Sequence, residues 1–109
     1  MLHGPGVLRE PVQDGKPFPP GVLDRVVAFV DEALRRGHPV LVQCAAGRSR
    51  SASAAYAILR ALYGLSDAEA LRRVETVHMG FRWPRRATLE SARRWAWRRG
   101  LGIEPGTLR

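Results

Sequence analysis

The chain has 109 residues, 45% of them hydrophobic, and a formal net charge of +8 carried by seventeen arginines and one lysine, Lys16. A single cysteine, Cys44, excludes an internal disulfide framework, and charges break every apolar stretch well short of a membrane span, so a reduced, cytoplasmic setting is expected. The length suits one domain, 1–109, and the positive charge favours anionic partners without naming one.

Val7 to Val12 predicts a short strand, paired on one side only because Pro11 has no N–H to donate. Asp14-Gly15 and Pro17 to Gly21 make a turn-rich loop. Apolar residues at positions 22, 23, 26, 27, 30, 33 and 34 keep the helical period from Val22 to Arg36, and Gly37 closes that helix. Pro39 to Gln43 reads as a short buried strand. A second helix is expected from about Ser49 to Tyr63, stopped by Gly64. Ser66 and Glu69 have the spacing of a capping box and open a third helix reaching about Val77. After a loop over His78 to Pro84, Thr88 is expected to cap a last helix ending at Gly100, with a poorly ordered tail from Leu101. Strand, helix, strand, helix implies a parallel pair with a right-handed crossover. The expected fold class is therefore α/β, a short parallel sheet with packed helices.

The chemistry concentrates in "LVQCAAGRSRSAS", Leu41 to Ser53. A loop of small residues between a strand end and a helix start can curl until its backbone N–H groups converge, and such a nest in front of a helix dipole holds a tetrahedral dianion. Ala45, Ala46, Gly47, Arg48, Ser49 and Arg50 would supply those donors, with Gly47 giving the backbone freedom for the curl. The planar fork of Arg50, six residues after Cys44, can take two phosphate oxygens. The field that binds phosphate also stabilises a thiolate at Cys44, the nucleophilic form of that side chain. A buried structural cysteine is the bland alternative, and it leaves the arginines after Gly47 without a purpose.

With these residues in place the chain resembles the protein tyrosine phosphatase superfamily, whose signature is Cys-x5-Arg. More narrowly it is similar to the dual-specificity branch, where "VHCxAGxSRSA" is typical and this chain has "VQCAAGRSRSA". The likeness spans roughly Val7 to Val77. It implies a cysteine-dependent phosphomonoester hydrolase that works through a thiophosphate intermediate and needs neither cofactor nor metal. Cys44 would be the nucleophile, Arg50 and the loop amides the transition-state donors, and Ser51 the hydroxyl that helps the sulfur leave. The family's general acid sits about thirty residues before the cysteine on a loop after a strand, and Asp14 in "REPVQDGKPFP" has that place. An ordinary Asp-Gly turn is its plainer interpretation. Gln43 departs from the family histidine; it keeps a hydrogen bond but carries no charge, which predicts a less acidified thiol.

Arg48 fills a variable loop position, and "AGRSRSA" is similar to the loop of the phosphatidylglycerophosphate phosphatase type. A second cation there would favour phosphorylated lipids or small molecules of high negative charge, beside phosphorylated proteins. Arg93, Arg94, Arg98 and Arg99 crowd the faces of the last helix away from Leu89, Ala92 and Trp95; they would make a solvated basic face or, with Trp83 or Trp97, an anionic-surface patch. Nucleic acid is not the expected partner. The family usually carries a strand–helix–strand segment before the acid loop that this chain lacks, which predicts an exposed sheet edge available for homodimerisation. A catalytically weak or inactive phosphate-binding module and a rhodanese-like sulfurtransferase are the competing assignments. Rhodanese loops usually place arginine five residues after cysteine, where this chain has Ser49.

Overall fold

The computed structural model describes residues 6–13, 15–42, 49–77 and 86–102. Four helices occur among them: α1 (Val22–Arg35), α2 (Ser49–Leu62), α3 (Asp67–Val77) and α4 (Arg86–Arg98). All four fall where helices were expected; the ends of α1, α2 and α3 agree to within one residue, and α4 differs at both ends. The capping box forms as expected: Ser66 N–H donates to Glu69 Oε1 at 3.0 Å, and Glu69 N–H donates to Ser66 Oγ at 3.2 Å. Those bonds hold the Glu69 carboxyl below its usual range. Gly37 ends α1 with φ +74°, a value that costs glycine nothing. The backbone around it closes a Schellman motif, His38 N–H donating to Ala33 O and Gly37 N–H to Leu34 O.

Among the described residues no strand forms, so the expectation of an α/β fold with a short parallel sheet is corrected to a helical arrangement. A strand exists only through a ladder, and Val7–Val12 and Pro39–Val42 share no backbone hydrogen bond among the described residues. Pro11 and Pro39 bring no N–H to such a ladder. The two segments instead line a common cavity of about 1340 Å³. Period-two burial survives in the second one, with Val40 and Val42 against the core and Leu41 79% exposed. With no sheet among the described residues there is no sheet edge among them either, and dimerisation by that route is withdrawn.

What organises the described residues is α2. It packs against α1, α3 and α4 and buries Ala52, Ala54, Tyr56, Ala57 and Ile58. α2 packs against α4, and Ala57 of α2 and Ala92 and Ala96 of α4 are fully buried members of one core cluster. On the α1 side, Val27, Val30 and Ile58 form a second cluster that seats Val40, Val42 and Trp95. Between α2, α3 and α4 lies a buried polar network. Tyr56 donates to Asp67 Oδ1 at 2.5 Å, Arg60 Nη1 donates to Tyr56 Oη at 2.7 Å, and Arg93 clasps both Asp67 oxygens at 3.0 and 2.7 Å. Arg60 Nη2 also donates to Leu101 O, so the chain stays tied to α2 at the start of the expected tail; residues 103–109 lie outside the described residues.

Two expectations about α4 change. Thr88 does not cap it, because the helix opens two residues earlier at Arg86; the helix closes at Arg98, with Gly100 just beyond it. The basic face is also smaller than the sequence suggests. Arg93 belongs to the buried network, and Arg99 pairs with Asp24 at 3.2 Å while stacking over Trp95 at 5.0 Å. The expected loop over His78 to Pro84, with Trp83, lies outside the described residues.

Candidate phosphatase site

Cys44, with Gln43, Ala45, Ala46, Gly47, Arg48 and the acid candidate Asp14, lies outside the described residues, as does the Ser49 side chain. The structure therefore speaks to the site through what flanks these positions: the start of α2, and the chain on both sides of residue 14.

α2 opens at Ser49, so Arg50 and Ser51 occupy its first turn. The first helical N–H groups have no partner inside the helix, and their dipoles place partial positive charge at that end. No acidic side chain sits in this turn to neutralise it. Ser51 is 5% exposed, and both Arg50 and Ser51 border the large cavity together with Val12 and Gln13. Arg50 Nη1 donates to Val12 O at 2.9 Å across thirty-eight residues of sequence. Two of the four predicted catalytic residues thus stand on one helical turn, and that turn touches the segment leading into a third.

The segment carrying residue 14 is held from three helices. Arg25 of α1 grips Glu10 through two bonds of 2.8 and 2.9 Å, which holds the Glu10 carboxyl below its usual range. Arg50 of α2 takes Val12 O. Lys16 N–H donates to Gln13 O at 3.2 Å, a turn in which Gly15 adopts φ +78°. Beyond the turn, Thr88 Oγ1 of α4 donates to Lys16 O at 2.9 Å, and Phe18 N–H donates to Ser91 Oγ at 2.9 Å. Ser91 in turn donates its own proton to Thr88 O at 2.8 Å. Sequence alone gave no sign of these last contacts, which join residues 72 and 73 positions apart. Among the described residues no three His, Cys, Asp or Glu side chains gather as a metal ion would require, and no helix is long and apolar enough to cross a membrane.

Comparison with known proteins adds an independent line. The family model "Dual specificity phosphatase, catalytic domain" matches residues 12–87. Among curated proteins, Dual specificity protein phosphatase 1 of Arabidopsis thaliana is 43% identical over 53 residues, covering 49% of this chain and 27% of that protein. This chain therefore aligns with about a quarter of the relative's length. No solved structure matches. The family match runs over most of the chain and takes in Asp14, Cys44 and helices α1, α2 and α3; the chain belongs to the dual-specificity phosphatase catalytic-domain family.

Proposed function

We propose that the protein hydrolyses phosphomonoesters with Cys44 as nucleophile. The Cys44 thiolate attacks phosphorus as the ester P–O bond breaks, and the Asp14 carboxyl gives its proton to the leaving oxygen. Water then attacks the thiophosphate, returning a proton to Asp14. The P–S bond breaks and the sulfur leaves as a thiolate stabilised by the Ser51 hydroxyl. Arg50 and the amides of Ala45, Ala46, Gly47, Arg48 and Ser49 hold the phosphoryl oxygens while charge spreads over them.

The observation that carries this reading is the match of the family model over residues 12–87, a span that contains Asp14, Cys44, Arg50 and Ser51. Arg50 and Ser51 in the first turn of α2, with Arg50 bonded to the segment before Asp14, support it. Arg48 adds a second cation, which favours substrates of high negative charge such as phosphorylated lipids or nucleotides over singly charged esters. Gln43 leaves the thiol less acidified than a histidine would.

Turnover of p-nitrophenyl phosphate tests the reading. Activity should be abolished in Cys44→Ser and unchanged by chelators. Phosphate binding with no turnover in the wild-type protein would instead identify an inactive phosphate-binding module.

A further inference from the structure

A general acid on a loop works only if the loop holds it within about half an ångström of the position from which it hydrogen-bonds the leaving oxygen. On the C-terminal side of residue 14, the described hydrogen bonds that leave the segment run to two residues of α4, Thr88 and Ser91. We infer that Thr88 and Ser91 are positioning residues for Asp14, an inference that rests on the role given to Asp14 above.

The chemistry of the two hydroxyls fits the task. Thr88 is fully buried, and its one proton goes to Lys16 O. It is not needed as a cap, since α4 has already begun at Arg86. Ser91 donates to Thr88 O inside its own helix, which fixes Oγ as an acceptor and aims it at Phe18 N–H. Pro17, between these two anchors, has no N–H and a restricted φ, so the stretch has little freedom left. On the other side of Asp14, Arg50 holds Val12 O.

The arrangement sets a distance. Arg50 and Ser51 ride on α2, Thr88 and Ser91 ride on α4, and the two helices pack against each other. The acid segment is fastened to both members of this pair. On this inference, helix packing sets where Val12, Lys16 and Phe18, on either side of Asp14, stand relative to Arg50.

Leaving-group dependence tests the inference, with phenyl phosphate as the poor leaving group and p-nitrophenyl phosphate as the good one. Asp14→Asn should slow phenyl phosphate about a hundredfold and the activated ester much less. Thr88→Val, which keeps the shape and removes the donor, should slow phenyl phosphate about tenfold and p-nitrophenyl phosphate less than about twofold. Thr88→Ser should restore the wild-type ratio. Added to Asp14→Asn, Thr88→Val should change phenyl phosphate turnover less than about twofold, because the acid it would displace is gone. Equal losses on both substrates, no loss on either, or a full multiplicative effect in the Asp14→Asn background would overturn the positioning role. Should Thr88→Val fail to unfold cooperatively in urea, Ser91→Ala carries the same expectations and decides the matter. An Asp14→Asn protein without leaving-group dependence would remove the role of Asp14 itself, a different failure from one confined to α4.

Discussion

Arg50 and Val12, thirty-eight residues apart, are joined by a 2.9 Å hydrogen bond from the guanidinium Nη1 to the backbone carbonyl. The bond makes one side chain answerable for two things, the phosphoryl oxygens it is proposed to hold and the backbone leading towards Asp14, the proposed proton donor. Substitution at position 50 should therefore show in both.

Arg50→Lys keeps the charge and loses the fork. Its kcat/KM for p-nitrophenyl phosphate should fall by at least about a hundredfold, roughly 2.7 kcal/mol of transition-state stabilisation. Amide hydrogen exchange at Gln13 and Gly15 should quicken in the same variant. Unchanged exchange there would show that the bond to Val12 does not hold the segment.

Alkaline pH should weaken the fold through Tyr56. Burial first, and then the bond to the Asp67 carboxylate, pushes this hydroxyl well above its ordinary range. The unfolded chain loses that proton near pH 10 (about 10 for free tyrosine) while the folded one keeps it. The contribution is whole below that pH and is lost progressively above it, at up to about 1.4 kcal/mol per pH unit. Urea titrations across this range should show the decline in the wild-type protein and a shallower one in Tyr56→Phe. Identical slopes would contradict the assignment, since the exposed Tyr63 is present in both.

Leu41 reports on the ladder that does not form among the described residues. At 79% exposure, Leu41→Ser should change the unfolding free energy by less than about 0.5 kcal/mol. A leucine covered by a sheet layer would cost about 2 kcal/mol or more on the same change. A loss of that size, read from urea midpoints, would mean that the face around residues 39–42 is covered in solution.

Ser53 is fully buried in α2, and its hydroxyl has no hydrogen-bond partner among the described residues. A buried, unpaired hydroxyl is a cost that alanine does not carry. Ser53→Ala should leave the protein as stable as before or stabilise it by about 1 kcal/mol. Destabilisation beyond about 1 kcal/mol would reveal a partner for that oxygen.

The helices were legible because each is a local statement. Seven apolar positions at helical spacing mark α1, and Ser66 with Glu69 marks the start of α3 in four letters. The motif around Cys44 is likewise a local statement, and its residues lie within the span of the family match, though outside the described residues. The strands were not, because apolar alternation over Val40 to Val42 specifies a face, whereas a ladder needs a second backbone within reach. Thr88 shows the limit most plainly. A threonine near a helix start has the composition of a cap, and only the packing of α4 against the acid segment turns its hydroxyl towards Lys16. Arg93 is similar: its carboxylate lies 26 positions away, and nothing local distinguishes it from Arg94.

The seam between α2 and α4 has a consequence of its own. Methyl groups have no rotamers, so Ala57, Ala92 and Ala96 cannot repack around an intruding atom, and any enlargement moves a whole helix. The spacing of α2 and α4 thus behaves as a fixed gauge: enlargement at any of the three sites would reach the turn that carries Arg50 and Ser51 as a backbone shift, whereas substitutions in the loops leave it untouched.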